Sequence, residues 1–477
     1  YGNNDPVHFQ PGVPVENVIT AMHVEIFGDT EAGSLVEFGG QLGWLEGCTV
    51  HGDHNGTIRA MYFYASYASA AVNAKIHVYN YLGGTIETVN MTGNAQAGGF
   101  QDNGTIIVEG NVKPEGHISH AGHVGPQHLT DIRGNFHGFY LAIIEGIQKK
   151  YAGTLHIHGQ SDGHIEVTSM DSMNFNNFTQ MKGGAIKIDG DMTGGYIKLR
   201  GVNDPPCAWL CYPDISPYDD TACEPPCGGL PACSGHFHPG CLDEEFCPTA
   251  CSCLPPPDPL CDEQTAVGRE NGIQHPGALV DGSVVIGGTF SGGAIDLRGD
   301  IGEHGSIQIR AMAGGQIQPY RGVGIRSGGS ISVSRGFTYG SIVIPGNMAG
   351  TISVGSLGPP PSGQSATITV GGKLTGALNV NGVMNNALID LNTVLQDPLA
   401  TTTGQVNIGT SSTSWTAVNG VIEIGHLNAV WGTGGLAKFR GCANGSSQPI
   451  IQHVCPPDPN HVVANFCTGV TPSFACP

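Results

Sequence analysis

A five-residue unit, Gly-x-Ile-x-Ile/Leu/Val, recurs along most of this chain of 477 residues. It reads Gly184-Ala-Ile186-Lys-Ile188, Gly195-Tyr-Ile197-Lys-Leu199, Gly293-Ala-Ile295-Asp-Leu297 and Gly305-Ser-Ile307-Gln-Ile309. Further copies are Gly329-Ser-Ile331-Ser-Val333, Gly340-Ser-Ile342-Val-Ile344 and Gly350-Thr-Ile352-Ser-Val354. Shortened copies follow at Ile368, Leu378, Ile389, Val406 and Ile422, and looser ones precede at Ile58, Ile76, Ile86, Ile106, Ile118, Leu155 and Ile165. From Val284 the leading apolar position recurs at steps of 11, 12, 10, 14, 11, 10, 16, 10 and 11 residues. A further apolar residue often stands six positions on, as Met192 after Ile186, Ile301 after Ile295, Met348 after Ile342 and Leu374 after Ile368.

Alternation with a period of two puts one side chain in and the next out, which is a short β-strand. Glycine is expected to supply corners of positive φ that β-branched residues resist. Strands this short bury their apolar face only by stacking on the next copy. A β-sandwich also has strands every eight to twelve residues or so, but it does not demand the same unit at each strand. The unit therefore predicts an all-β parallel β-solenoid. Two or three units make one coil of roughly 20–33 residues, and each coil advances about 4.8 Å. In this organisation the chain resembles the secreted right-handed parallel β-helix proteins as a broad class. The resemblance covers most of residues 30–200 and 278–430 and is architectural.

Composition narrows the function classes. Nineteen basic against 39 acidic residues give a net charge of −20, which argues against nucleic acid as a partner. No apolar run reaches the roughly 18 residues of a membrane span. The 74 glycines do not fall at every third position, so collagen is excluded.

Fourteen of the 15 cysteines fall in two groups. The first is Cys207, Cys211, Cys223, Cys227, Cys233, Cys241, Cys247, Cys251, Cys253 and Cys261; the second is Cys442, Cys455, Cys467 and Cys476. Two even clusters in a chain that starts at Tyr1 are expected to be disulfides of a secreted protein found outside the cell or at its surface, with the pairing open. Their spacings do not form the paired CxxC pattern of a zinc site. Cys48 stands apart, a candidate for a bridge between molecules or a buried, inert thiol. The expected organisation is an arm or cap over 1–30, a first solenoid part over 31–202 and a Cys/Pro-rich insertion over 203–265. A second solenoid part over 266–430 and a disulfide-stapled cap over 431–477 complete it. Residues 60–73 and 138–151 are less glycine-rich and read as longer strands or short flanking helices. Sequons at Asn55, Asn90, Asn103, Asn177 and Asn444 are candidate glycosylation sites.

Candidate chemistry is sparse. Asp189, Asp191, Asp296 and Asp300 are carboxylates that stacked units would align, as glycoside hydrolysis requires of a pair. Arg200, Arg298 and Arg310 each follow a leading isoleucine by three residues and are expected along one corner, as partners of an acidic polysaccharide or in salt bridges with aspartates. Histidines cluster at His117, His120, His123 and His128, at His156, His158 and His164, and at His236 and His238. His156 and His158 share one face of a strand and are a candidate metal pair without an assignable third ligand; other histidines are expected at the surface or in turns. Acidic turns such as Asp189-Gly-Asp191 are candidates for a structural Ca²⁺, and no other cofactor is expected. No serine-nucleophile elbow, His-Glu-x-x-His helix or phosphate loop is present. The reading that follows is a secreted structural protein, a self-associating subunit of an extracellular fibre, layer or appendage, with no catalytic residue assigned. Its alternatives are a polysaccharide lyase or glycoside hydrolase on the same scaffold, and a carbohydrate-binding adhesin.

Overall fold

The structure is a computed structural model. It describes residues 23–42, 47–63, 74–89, 104–121, 124–142, 151–167, 183–200, 279–319, 322–358, 361, 363–382 and 384–394, and then the segments 404–408, 418–427, 436–441, 450–452, 462–466 and 473–475. Within them the chain is all strand and turn, from His23–Ile26 to Ser473–Ala475. All pairings are parallel, each strand with the one two places on in sequence, except where Ser306–Pro319 covers both faces and pairs with Ala294–Arg298 and Ser330–Val333. Two face-to-face antiparallel layers are thereby excluded, and the fold is a parallel β-solenoid.

One coil has two faces. On the first face Ile186 stands over Val284, Ile307, Ile331, Ile352 and Leu378 in successive coils. On the second, Ile165 stands over Ile197, Ile295, Ile317, Ile342, Ile368 and Ile389. Strand starts on the first face at 129, 154 and 185, and again at 283, 306, 330, 351 and 377, mark coils of two units each. Residues six positions on line the two corners, Phe136, Ser161, Met192 and Phe290 at one and Ile301, Met348 and Leu374 at the other, where Leu279 and Ile325 join the same row. These residues are buried. Each fully buried Ile, Leu or Phe stabilises the fold by about 1.5–3 kcal/mol relative to exposure, and nearly all of that requires the neighbouring coil.

The ladder crosses the cysteine-rich segment without losing register. Ala185–Ile188 pairs with Ser283–Phe290, and Tyr196–Arg200 with Ala294–Arg298. Residues 203–276 and all 14 clustered cysteines, with the disulfide expectations placed on them, lie outside the described residues. The other boundaries shift. The strand His23–Ile26 already belongs to the ladder ahead of residue 30. Past residue 430, Leu436–Gly441, Ile450–Gln452, Val462–Phe466 and Ser473–Ala475 continue both faces. The first of these strands keeps the glycine of the repeat, Gly435, and the other three lack it but keep enough alternation to stack. The two less glycine-rich stretches begin as strands, Thr57–Phe63 and Phe139–Ala142.

Cys48 is fully buried between Val24 and Ile76 in register. Burial pushes its thiol up to about 12, because the thiolate would lose its hydration. In this position it fills space as a small apolar residue.

The corners correct the expectation about glycine. Gly195, Gly293 and Gly340 do have positive φ, at 67°, 84° and 114°. Gly84, Gly138 and Gly163 do not; a Cβ there would overlap the carbonyl oxygens of Gly56, Gly116 and Gly138, one coil away. Glycine at these positions is demanded by the closeness of stacked backbones. Side-chain amides and carboxylates seal the same corners. Asn111 Oδ1 accepts the Asn135 N–H at 2.8 Å, Asn135 Oδ1 the Gln160 N–H at 2.9 Å, and Asn347 Oδ1 the Lys373 N–H at 2.8 Å.

Gly138→Ala is expected to cost about 1–3 kcal/mol, read as a lower urea midpoint. Gly336→Ala, where a Cβ meets nothing within 4 Å, is expected to stay within about 0.5 kcal/mol of the parent. Equal midpoints for the two variants would contradict the stacking argument.

Candidate functional site

Parallel register sets each outward side chain over its counterpart one coil away, about 4.8 Å distant. The surface of each face is therefore a set of rows. On the first face one row runs Thr49, His77, Ile107, Asp131, His156, Lys187. Two residues further along each coil a second row holds Phe27, His51, Tyr79, Glu109, Arg133, His158 and Asp189. Phe27 stacks on His51 at 4.6 Å and His51 on Tyr79 at 5.0 Å, with the ring planes nearly parallel. The charged part is zipped across coils: His77 to Glu109 at 2.9 Å, Glu109 to Arg133 at 2.6 Å, Arg133 to Asp131 at 3.4 Å.

The second face repeats the plan. His117, Phe139, His164 and Tyr196 form an aromatic row with centroid spacings of 6.3, 4.8 and 4.4 Å. Beside it Arg59 bridges Glu37 and Glu87 at 3.6 and 2.8 Å, and Lys198 meets Glu166 at 3.2 Å. Further along the chain the first-face row turns neutral, through Gln308, Ser332, Ser353, Asn379 and Asn407. There Asn407 donates to Asn379 Oδ1 at 2.9 Å.

The expected carboxylates do not converge. Asp189 and Asp191 follow a first-face strand, Asp296 lies on the second face, and Asp300 lies at the next corner. Each is engaged by protein donors. Asp191 Oδ1 accepts the Thr289 N–H at 2.6 Å, which gives it a corner-sealing role. Asp296 pairs with Arg298 at 3.1 Å; Asp300 accepts the Gly324 N–H at 2.8 Å and pairs with Arg326 at 3.0 Å. Arg200 and Arg298 are in register on the second face, but Arg310 follows Ile309 on the first, so the three do not share a corner.

Histidines divide into two kinds. His156 and His158, stacked at 3.8 Å, lie on the outer surface with Asp131 on one side and Asp189 on the other. Burial raises the Asp189 carboxyl, but hydrogen bonds and charge from His156 and Lys187 outweigh it, leaving the group below its ordinary value. Against expectation, His54, His77, His120 and His128 are buried. His120 Nδ1 meets Thr88 Oγ1 at 2.7 Å, His128 Nε2 meets Thr130 Oγ1 at 2.9 Å, and the Tyr140 and Tyr151 hydroxyls meet at 2.9 Å nearby. His54, His120 and His128 occupy inward positions that alternation alone would have marked apolar, whereas His77 stands in the outer row and is covered by Tyr79 and Glu109. Of the sequons, Asn55 is half-buried in a corner and donates its backbone N–H to Thr30 Oγ1 at 3.0 Å. Asn90, Asn103, Asn177 and Asn444 lie outside the described residues, as do His123, His236 and His238.

What fold and surface together define is a parallel β-solenoid whose outer rows are largely occupied in contacts between coils. Compared with protein-family models, with curated proteins and with solved structures, the chain has no match.

His54 supplies a pH handle. Thr30 donates to its Nδ1 at 2.8 Å, and its Nε2–H donates to the Thr85 carbonyl at 3.3 Å. Burial lowers its pKa to about 4, so the folded ring stays neutral while an unfolded one protonates near pH 6.5. The stabilisation is complete above about pH 6.5 and is lost as pH falls toward 4, by on the order of 3 kcal/mol. Urea midpoints of His54→Leu should fall less steeply than those of the parent across that window; parallel profiles would refute the assignment.

Proposed function

We propose that the chain is a secreted structural subunit that adds end to end into an extracellular fibre, layer or appendage. The observation that carries this reading is the pair of open ladder ends. Among the described residues, His23–Ile26 and Leu35–Leu42 pair along one edge, as do Val462–Phe466 and Ser473–Ala475 at the far end. A strand with one free edge is a template for another strand. The last coil of one copy meeting the first coil of the next is a heterologous contact, which propagates as a filament.

The outer rows weigh the same way. The carboxylates a lyase or hydrolase would use are engaged by protein donors on their own or the neighbouring coil. The aromatic rings a sugar-binding surface would offer pack against one another along the rows, although Phe27, Tyr79 and Phe139 keep exposed surface. The composition agrees, with 12% charged residues in place of the usual quarter or so.

Ile26 C=O accepts from His51 N–H in the second coil at 2.9 Å, so by the pleat the N–H of Glu25 faces the open edge. Glu25→Pro removes that donor without touching an internal ladder bond. Electron micrographs of the full chain should show particles that lengthen with concentration, and Glu25→Pro should shorten them. Dispersed single particles of the parent chain at the highest concentration would defeat the reading.

A further inference from the structure

We infer that Asp131, His156 and His158 form a binding site for a divalent first-row transition-metal ion, with zinc as its typical occupant. Asp131 ends in a carboxylate on the strand Leu129–Ile132, and the two histidines come from the next coil, on and just after Thr154–Ile157. One ligand atom from each lies within 4.8 Å of the others. Asp131 Oδ1 is 2.8 Å from His158 Nε2 and 3.7 Å from His156 Nδ1. Zinc bonds of about 2.0–2.2 Å place tetrahedral ligand atoms roughly 3.4 Å apart. The cluster therefore needs only a small opening of the Asp131–His158 pair to admit an ion.

The surroundings fix the orientation of these ligands. On the opposite side of the two rings, Asp189 Oδ2 is 2.8 Å from His156 Nε2 and 3.4 Å from His158 Nδ1. A carboxylate accepting the far N–H of each ring directs the remaining lone pairs, on His156 Nδ1 and His158 Nε2, toward Asp131. That is the outer-shell arrangement that orients metal-bound imidazoles. Lys187 Nζ, 3.0 Å from Asp189 Oδ1, holds this carboxylate in place. Arg133, 3.4 Å from Asp131 Oδ2, engages the second oxygen and leaves Oδ1 for the ion.

Two imidazoles and one carboxylate suit zinc, nickel or copper better than calcium or magnesium, which prefer oxygen. His158 is 40% exposed, so the outer side of the site is open to water ligands. The ion would tie two successive coils together at the surface. This assignment is independent of the fibre proposal, because a single dispersed chain contains the whole site.

The test uses the full, oxidised chain freed of metal by a chelator. Calorimetry with Zn²⁺ is expected to show one more binding equivalent in the parent than in His156→Ala or Asp131→Asn. His304→Ala, at a distant surface histidine, is expected to match the parent. Asp189→Asn should weaken that equivalent about 10- to 100-fold without removing it. X-ray absorption of the zinc-loaded parent should report nitrogen and oxygen neighbours including two imidazoles. Equal stoichiometry in the parent, His156→Ala and Asp131→Asn would overturn the site, as would a sulfur-dominated shell in the parent.

Discussion

Every strand of this fold depends on hydrogen bonding to a strand one coil away. A run of four or five residues has no partner within its own coil, because the two faces of a coil do not bond to each other. Its N–H and C=O groups, and the apolar side of its pleat, are satisfied by the coils on either side. Register is then unforgiving, since a slip of one residue would turn the buried row of isoleucines outward. The fully buried column from Ile186 through Val284 and Ile307 to Leu378 is what holds that register.

Coil spacing sets the chemistry of the corners. At about 4.8 Å between strands, a turn that brings backbone against backbone excludes even a methyl group, hence Gly138 over Gly116. A turn with more room leaves N–H groups to be capped, hence Asn111, Asn135, Asp191 and Asn347, each reaching to the next coil. The same spacing makes like side chains neighbours on the outside. Aromatics stack, amides bond in chains, and ions alternate in sign, as in Glu37, Arg59 and Glu87. Single surface pairs of this sort contribute under about 1 kcal/mol, so they tune the surface of a solenoid that its interior has already fixed.

The architecture was legible in the sequence because the core repeats: Gly-x-Ile-x-Ile carries the period, the strand and the inward positions together. Less legible was whatever breaks the repeat. His120, His128 and Thr130 sit at inward positions where a periodic reading expects an aliphatic residue, and they are accommodated by hydrogen bonds, His120 with Thr88 and His128 with Thr130. The strands beyond residue 430 keep the repeat's glycine only at Gly435 and read as a cap. The role of Asp191 was open to misreading, since an acidic turn and a corner seal look alike until the coil above is known. Its signal, Asp or Asn directly before the inward corner residue, recurs at Asn111, Asn135 and Asn347. The partners of His156 were illegible for the same reason: Asp131 is 25 residues away in sequence and adjacent only because one coil has that length.

The switch from charged to neutral rows along the chain gives the solenoid a chemical polarity. Ion pairs on coils up to Lys198 weaken as added electrolyte screens them, whereas the serine and asparagine rows between Ser332 and Asn407 are indifferent to ionic strength. Salt therefore loosens one stretch of the molecule and spares the other, so that any fraying it provokes has a direction.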